Sequence, residues 1–269
     1  MGFDTRGYWE ERLAGRFSLG GVGWLGLGEG FNRWAYRVRR QVFLREVRRA
    51  LKAGQLDVAD IGAGTGFYVE RWRELGAKSI SAFDLTSVAI EKLRQRFPDV
   101  TLAELDISAP DQGVFSNRFD AISAMDVLFH ITDDEAYERA FMNLRSWLKP
   151  GGLLIASDFY VRTSVVPGEH VVYRQRALTD AAARRAGLER VLCRPLLVLM
   201  NDPVDTTNRF QLLLWRVLVA AVHRRQWFGY VAGALLFPIE SLLVRNAKLM
   251  PSTKLLIYRR TADEPVGCA

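Results

Sequence analysis

Short apolar runs alternate with stretches of helical periodicity along most of the chain, beginning at Leu56. The apolar runs predict strands, and the amphipathic stretches between them predict helices. Strands are expected at 58–61, 79–84, 100–105, 119–125, 152–158, 189–198 and 254–260. The intervening helices are expected to end near Leu75, Arg96, Lys149-Pro150 and Ala186. Such regular alternation is typical of an α/β fold, in which helices cover both faces of a mostly parallel sheet.

Residues 1–50 show a different pattern: a helix, a glycine-rich loop and a second helix. The loop has six glycines between positions 20 and 30, interleaved with Val22, Trp24, Leu25 and Leu27. These apolar residues argue against a free linker, and glycine permits tight turns and close approach to a ligand. Two interpretations stay open: a helical lid that closes over a ligand, or an N-terminal arm that packs on the domain.

The segment 206–250 is predominantly apolar and interrupts the α/β pattern before the last strand. Runs at 210–222 and 227–244 flank His223-Arg224-Arg225. The second run approaches the length that spans a bilayer, but Pro238 and Glu240 within it argue against a spanning helix. We expect a helical insertion that lines an apolar pocket, forms a homodimer surface or makes peripheral contact with a membrane. The chain thus divides into 1–50, an α/β domain formed by 51–205 and 251–262, and the insertion 206–250.

Composition and charge narrow this picture only slightly. The 269 residues are 49% hydrophobic and 25% charged, as in ordinary globular proteins. The formal net charge of +7 favours anionic partners, nucleic acid among them, but the arginines are spread along the chain. The two cysteines lie far apart and the first residues do not form a secretory signal. We therefore expect a cytoplasmic protein, either free or peripheral at a membrane.

The sharpest signal for chemistry is the stretch from Asp60 to Gly66, DIGAGTG, between a predicted strand and a predicted helix. Its glycines let the backbone turn tightly and approach a ligand, and the amides that open the helix favour an anionic group. Asp84 ends the second strand, where a carboxylate can accept hydrogen bonds from both hydroxyls of a ribose. Asp106 closes the third strand and could receive an adenine amino group, with Ile107 packed on the ring. The alternative for each aspartate is a helix N-cap or a loop charge.

These residues, with FDAIS at 119–123 and LKPGG at 148–152, resemble the successive motifs of class I S-adenosylmethionine-dependent methyltransferases. The resemblance covers roughly 56–198 and the last strand. It implies a Rossmann-like fold of seven strands with the last one antiparallel, and S-adenosyl-L-methionine as the cofactor. A nicotinamide-dependent enzyme would more often have a further glycine where this chain has Phe67.

The resemblance also implies which residues surround the cofactor. The glycine turn would lie against the methionine part, the aspartates of the second and third strands against the ribose and adenine, and the residues after the fourth strand beside the sulfonium. The strand-end residues are Asp60, Gly62, Ala63, Gly64, Asp84, Leu85, Asp106, Ile107, Met125 and Asp126. From the N-terminal segment the expected contacts are Tyr36 and Arg40, with Tyr8 and Trp9 as further lid candidates.

Methyl transfer requires an acceptor aligned with a carbon that is already activated, and a base only where the acceptor carries a proton. His130 follows the fourth strand near the expected acceptor entrance, where a neutral imidazole could take a proton from a hydroxyl. Asp158, Tyr160 and His170 follow the fifth strand and are further catalytic or acceptor-site candidates. A structural histidine and surface polar residues are the alternatives. No metal site is expected.

The sequence therefore predicts a methyltransferase acting on a small, partly apolar acceptor, with O-methylation of a specialised metabolite or lipid-like molecule as the leading hypothesis. The apolar N-terminal loop and insertion motivate that acceptor class. The alternatives are a non-methylating enzyme of the same fold, such as a cyclase or decarboxylase, and a membrane-associated or RNA methyltransferase. Nucleic acid is disfavoured, because no Asn-Pro-Pro-Tyr motif follows the fourth strand and no RNA-binding appendage is recognisable.

Overall fold

The computed structural model describes residues 3–51, 54–111, 113–246 and 251–262. The strands in these ranges are β1 (Asp57–Ile61), β2 (Ser79–Asp84), β3 (Thr101–Glu104), β4 (Phe119–Ala124), β5 (Leu148–Asp158), β6 (Val165–Gly168), β7 (Val171–Tyr173), β8 (Leu188–Pro195) and β9 (Lys254–Arg260). The helices are α1 (Thr5–Gly15), α2 (Leu19–Val22), α3 (Gly28–Ala50), α4 (Phe67–Glu74), α5 (Ser87–Arg96), α6 (Asp134–Trp147), α7 (Arg176–Arg185), α8 (Arg209–Arg224) and α9 (Gln226–Asn246). Short 3-10 turns occur at Leu25–Leu27 and Leu128–His130.

The main sheet has seven strands in the order β3-β2-β1-β4-β5-β9-β8. The strands β1 to β5 pair in parallel, whereas β9 runs antiparallel to both of its neighbours, β5 and β8. The direction in which strands are added reverses between β1 and β4, and open α/β sheets bind ligands at the carboxyl ends of the strands at such a point. The predicted sheet and its antiparallel last strand are confirmed.

Alternate residues of the central strand β1 enter two separate hydrophobic cores, one on each face of the sheet. Val58 belongs to the core that contains Trp72 of α4 and Phe43 of α3. Ala59 belongs to the core that contains Phe141 of α6. Burial on both faces explains why the strands read as continuous apolar runs, and it confirms the prediction that helices cover both faces.

Two strand boundaries differ from the prediction by three residues or more, and the others by at most one. β5 begins at Leu148 rather than 152, and α6 ends at Trp147 rather than at Lys149-Pro150. Leu148 already has extended dihedral angles and pairs with Phe119, and Gly151 follows with φ of +76° at an irregularity in the pairing. β8 ends at Pro195 rather than 198. Beyond it the backbone leaves the sheet, because the amide of Val198 donates a hydrogen bond to the carboxylate of Glu240 at 2.6 Å.

The predicted glycine-rich loop is largely helical, formed by α2 and a 3-10 turn. Arg12 of α1 fixes it, because its Nε donates to the carbonyl of Gly21 at 2.7 Å and its Nη2 to that of Gly23 at 2.5 Å. α1 also rests on α5, where the Glu10 carboxylate accepts the amide hydrogen of Ser87 at 3.2 Å. The N-terminal segment is therefore docked on the α/β domain.

The segment that separates β8 from β9 forms the helical hairpin α8–α9, with Pro238 inside α9. α9 packs along α3 at close range, since a Cβ on Gly233 would lie only 2.7 Å from Cδ1 of Trp34. Glu240 on the inner face is fully buried, and its carboxylate also accepts the amide hydrogen of Leu199 at 2.8 Å. The inner face of α9 is thus fixed to the domain.

Candidate active site

The turn after β1 forms the floor of a cavity at the carboxyl edge of the sheet. Gly62, Gly64 and Gly66 have φ angles of +65°, +51° and +80°, in the left-handed region that glycine adopts without strain. A Cβ on Gly62 would overlap Cγ2 of Val127, so the turn also lacks space for a side chain. The backbone of the motif can therefore approach a ligand directly.

Asp84, at the end of β2, holds this turn in place. Its Oδ2 accepts the amide hydrogen of Gly64 at 2.8 Å, and its Oδ1 accepts hydrogen bonds from the amide and hydroxyl of Thr86 at 3.0 and 2.7 Å. Burial raises the pKa of Asp84, and these hydrogen bonds oppose the shift. Both lone pairs of Oδ1 are thus used, whereas Oδ2 keeps one with which the carboxylate can accept a hydrogen bond from a ligand hydroxyl.

Asp106 and Ile107 lie just beyond β3 rather than within it. Oδ1 of Asp106 accepts hydrogen bonds from the amide and hydroxyl of Ser108 at 2.8 and 2.6 Å. The Asp106 side chain is exposed, Ile107 is buried, and both line the cavity. A fixed carboxylate at the rim and an apolar side chain beside it suit a flat base that carries an amino group.

Asp60 is buried next to the glycine turn and has an unsatisfied oxygen. Its Oδ1 accepts a hydrogen bond from the Ser123 hydroxyl at 2.6 Å, whereas Oδ2 has no hydrogen-bond partner among the described residues. Burial raises the pKa of Asp60 to about 7; the bond from Ser123 opposes this shift and the negative charge of Asp84 adds to it. An orphaned carboxylate oxygen beside a glycine cradle fits a ligand that carries a cationic amino group.

We call the space above these residues the first cavity; it has an empty volume of about 950 Å³. α1 covers it with Trp9 and Leu13. The predicted cofactor residues that line it are Tyr36, Gly62, Ala63, Gly64, Asp84, Leu85, Asp106, Ile107, Met125 and Asp126. Asp60 lies beneath the lining. The glycine cradle, the orphaned carboxylate oxygen and the two strand-end aspartates together fit S-adenosylmethionine.

The second cavity, with an empty volume of about 1280 Å³, lies against the first. Aromatic side chains supply much of its lining, among them Trp24, Phe129, Phe159 and Tyr173. The rings of Phe159 and Tyr173 stack with centroids 3.8 Å apart. Its arginine, aspartate and histidine lining residues are Arg12, Arg39, Asp126, His130, His170 and Asp202. The cavity therefore combines flat apolar surfaces with a few polar groups.

Five residues line both cavities and form a shared wall: Trp9, Val22, Tyr36, Asp126 and His130. Three of them come from the N-terminal segment and two follow β4. The two cavities therefore adjoin at these side chains.

Asp126 and Arg39 form a largely buried ion pair beside the shared wall. Nη1 of Arg39 lies 2.5 Å from Oδ2 of Asp126, and the Ser157 hydroxyl donates to Oδ1 at 2.6 Å. Asp126 has φ of +60°, unusual for a residue other than glycine, and its amide donates to the same hydroxyl at 2.7 Å. These contacts stabilise the strained backbone and fix the direction of the carboxylate.

His130 is held in one tautomer. Its Nδ1 lies 3.0 Å from the carbonyl oxygen of His170, in the turn between β6 and β7. A carbonyl only accepts hydrogen bonds, so Nδ1 carries the hydrogen and Nε2 is the basic nitrogen of the neutral ring. Burial lowers the pKa of His130 to about 4, although the bond to His170 opposes this shift. His130 is therefore neutral at pH 7 and can accept a hydrogen bond.

Arg40, predicted as a cofactor contact, does not line either cavity. Its Nη2 lies 2.5 Å from Oε2 of Glu74, and 48% of its side chain is exposed. Its neighbour Arg39 takes the inward position with 8% exposure. The helical period could have shown this, because Arg39 lies three residues after Tyr36 and four before Phe43, on the apolar face of α3.

Asp158 and Tyr160, predicted as catalytic candidates, also lie outside both cavities. The buried Asp158 carboxylate accepts the Tyr160 amide hydrogen at 3.1 Å, and the Tyr160 hydroxyl donates to Asp180 of α7 at 2.6 Å. The chain turns at Tyr160, which has φ of +45°, so Phe159 lines the second cavity instead. His170 does line it, and its ring lies 4.7 Å from that of Tyr8.

Comparison with known proteins agrees with this geometry. Residues 58–152 match a family model described as a methyltransferase domain. Phosphoethanolamine N-methyltransferase 1 of Triticum aestivum is 35% identical over 123 residues, which are 44% of this chain and 23% of that protein. A ubiquinone biosynthesis O-methyltransferase of Cereibacter sphaeroides is 31% identical over 116 residues, 43% of this chain and 46% of that protein. The chain spans less than half the length of either relative.

A solved structure extends the likeness in fold. The 1,6-didemethyltoxoflavin-N1-methyltransferase of Burkholderia thailandensis, crystallised with S-adenosylhomocysteine, superimposes with a TM-score of 0.52 at 16% identity. The superposition covers 85% of this chain and 79% of that one. Residues 58–152 therefore match a methyltransferase domain, and the chain has the fold of S-adenosylmethionine-dependent methyltransferases.

Proposed function

We propose that this protein transfers the methyl group of S-adenosylmethionine to a small, partly apolar acceptor held in the second cavity. The shared wall carries the proposal, because a donor in the first cavity and an acceptor in the second would come together beside Tyr36, Asp126 and His130. In-line transfer depends mainly on that alignment. Since the relatives match only part of the chain, this geometry rather than their names supports the activity.

Different residues in and beneath the first cavity would bind different parts of the cofactor. When bound, S-adenosylmethionine supplies a methyl group that its positively charged sulfonium has already activated. Oδ2 of Asp84 would accept a hydrogen bond from a ribose hydroxyl, Asp106 from the adenine amino group, and Oδ2 of Asp60 from the amino group of the methionine part. Asp126, whose direction Arg39 and Ser157 fix, would contribute a carboxylate near the reacting centre.

His130 would orient the acceptor and take up its proton. The neutral imidazole has its Nδ1 hydrogen bonded to His170, which leaves Nε2 to accept a hydrogen bond from an acceptor hydroxyl. That bond would direct an oxygen lone pair toward the first cavity, and the proton would pass to Nε2 as the new carbon–oxygen bond forms. The negative charge of Asp126 favours the resulting imidazolium. For this reason we propose O-methylation.

The lining of the second cavity supports an acceptor with a flat apolar part and a polar group remote from the methylated atom. Phe129, Phe159 and Trp24 offer ring surfaces. Burial raises the pKa of Asp202, whose carboxylate has no hydrogen bond or ion pair within the described ranges. We infer that Asp202 accepts a hydrogen bond from a hydroxyl or an amino group of the acceptor.

Cofactor binding is tested by titration calorimetry with S-adenosylhomocysteine. The side chain of Asp106 is exposed, so Asp106→Ala should leave the fold intact while weakening binding about tenfold or more. Asp99→Ala, at another exposed aspartate before β3, serves as the matched control and should bind as the wild type does. Absence of binding by the wild-type protein would refute the proposal.

Methyl transfer is tested separately, with methyl-labelled S-adenosylmethionine and a panel of hydroxylated aromatic and prenylated compounds. We expect label in one acceptor class and release of S-adenosylhomocysteine. His130→Asn retains a donor toward the His170 carbonyl but lacks the basic nitrogen, and it should lower kcat about 100-fold or more with cofactor affinity unchanged. If product forms without release of S-adenosylhomocysteine, the protein is instead a non-methylating enzyme of this fold.

A further inference from the structure

The hairpin α8–α9 exposes a large apolar surface. On α9, residues 227, 231, 235, 239 and 242 recur every three or four positions, which places them on one side of the helix. Leu235 is 69% exposed and Leu242 is 61% exposed. The outer face consists of Phe210, Leu213, Leu214 and Val217 of α8 with Trp227, Phe228, Tyr230, Val231, Leu235, Ile239 and Leu242 of α9. Scattered apolar residues are normal on a protein surface, but a contiguous helical face of this kind marks an interaction site.

The opposite side of the hairpin packs on the domain and limits how a partner can bind. Of the helices that the structure describes, α9 alone is long and apolar enough to cross a membrane, over Trp227–Asn246. Its inner side, however, packs on α3, and Glu240 there binds backbone amides of residues 198–200. A spanning helix would have to break those contacts and bring the Glu240 carboxylate into hydrocarbon. Only the outer face is free.

The charges around the outer face are of one sign. Between positions 206 and 246 the sequence has one acidic residue, Glu240, and it is fully buried. The exposed basic residues Arg209, Arg216, Arg225 and Arg245 lie along the two helices and their connection. On α8, Arg209, Leu213 and Arg216 follow one another at helical spacing, so guanidinium groups border the apolar side chains. Exposed aromatic residues with bordering arginines are typical of helices that lie in a membrane interface.

We propose that the outer face of α8 and α9 docks on the surface of an anionic membrane. Apolar side chains would enter the boundary of the acyl chains, and the arginines would contact anionic headgroups. A second copy of this chain is the weaker candidate, because it would bring an equally basic surface to the contact. Docking would also bring the second cavity close to the lipid, since Trp24 in its lining packs on Trp215 of α8 and the neighbouring Leu25 is exposed.

Vesicle flotation tests this inference without any assumption about the reaction. The full-length protein is floated with phosphatidylcholine vesicles and with vesicles that also contain phosphatidylglycerol. We expect recovery with the anionic vesicles and a several-fold loss of recovery when salt is raised from about 0.1 M to about 1 M, because the Debye length falls from about 10 to about 3 Å.

Paired substitutions distinguish the apolar from the basic contribution. Leu235→Glu combined with Ile239→Glu should weaken binding to anionic vesicles about tenfold or more, since two apolar side chains are lost from the contact. Arg209→Glu combined with Arg216→Glu should weaken binding to anionic vesicles only. Leu178→Glu, at a 46% exposed leucine on α7, is the matched control and should bind as the wild type does.

Three outcomes overturn the inference: no recovery of the wild-type protein with anionic vesicles, equal losses in the Leu178 control, or undiminished binding of the Leu235/Ile239 variant. Sedimentation velocity tests the other candidate partner, a second copy of this chain. If the wild-type protein is a dimer and does not bind vesicles, and the Leu235/Ile239 variant is a monomer, the outer face is instead a contact between two copies of this chain. S-adenosylhomocysteine binding, measured on the same variants, should not change, so failure of membrane docking and failure of the proposed methyl transfer are distinguishable.

Discussion

Asp60 shows how a single buried carboxylate can depend on a ligand for its stabilisation. One of its oxygens accepts a hydrogen bond from Ser123, and the other has no partner in the described part of the chain. In the ligand-free protein, ionisation therefore costs free energy, which is why the pKa of Asp60 rises from 3.8 to about 7. A cationic group bound beside the glycine turn would remove that cost.

Asp60→Asn should stabilise the ligand-free protein and weaken cofactor binding. A raised pKa means that the aspartic acid favours the folded state at low pH, and that this contribution is lost as pH rises from 3.8 through about 7. The amide does not titrate, so the gain in the free energy of unfolding should appear only above about pH 4 and reach at most about 4 kcal/mol. Urea unfolding at several pH values, with S-adenosylhomocysteine titrations at neutral pH, measures both effects. Equal gains at all pH values would contradict the assigned pKa.

His130 should make the opposite contribution to pH dependence. Its pKa is lowered from 6.5 to about 4 in the folded protein, so stability present above pH 6.5 is lost as pH falls toward 4. His130→Asn should remove this loss, which amounts to up to about 3 kcal/mol. The difference between wild type and variant in the free energy of unfolding, followed from about pH 7 to about pH 4, isolates the contribution of His130. His223→Asn, at an exposed histidine that lines neither cavity, is the matched control.

At the scale of elements, helix α1 covers the first cavity and is held in position by few polar contacts. Arg12 joins it to α2 through two backbone carbonyls, and Glu10 joins it to the start of α5. Trp9 and Leu13 reach the first cavity from this helix. The sequence left open whether this segment is a lid or a packed arm, because an arginine that binds carbonyl groups has the same pattern as one on a solvated helix face.

Arg12→Ala should loosen α1 without unfolding the domain. Hydrogen exchange of the amides in 5–15 should become about tenfold faster or more, because the helix loses its link to α2. Amides of β1 and β4 should keep their protection. Arg16→Ala, at an exposed arginine one turn later, provides the comparison. Unchanged exchange in α1 would mean that apolar packing alone holds the helix.

Elements with strong periodicity were predictable, and those formed by distant contacts were not. The strands β1 to β5 could be predicted from the sequence, because strands buried on both faces require continuous apolar residues. The hairpin β6–β7 was missed because its strands have only four and three residues, too short for a periodic signal. In the site, the glycine turn and Asp84 followed from local spacing. The bond between His130 and the carbonyl of His170 joins residues 40 positions apart, and no local pattern reports it.

At the scale of the whole molecule, ligand binding should couple the glycine turn to overall stability. S-adenosylhomocysteine at about 100 times its Kd should stabilise the wild-type protein by about 3 kcal/mol and raise Tm by several degrees. Gly62→Ala should abolish this shift, because the new Cβ would overlap Val127 and force the turn to move. Gly76→Ala is the matched control: it has φ of +78° and open space around it, so it should lower the basal Tm yet retain the shift. Loss of the shift in both variants would indicate general damage.

The shared wall has a consequence for how this chain could acquire new chemistry. Trp9, Val22 and Tyr36 precede the region that matches the family model, whereas Asp126 and His130 lie within it. Both cavities therefore take part of their lining from residues 1–50, outside the family match, and part from residues within it. Exchange of the first fifty codons between relatives would therefore reshape one side of both cavities, while the glycine turn and the strand-end aspartates on the other side stay unchanged.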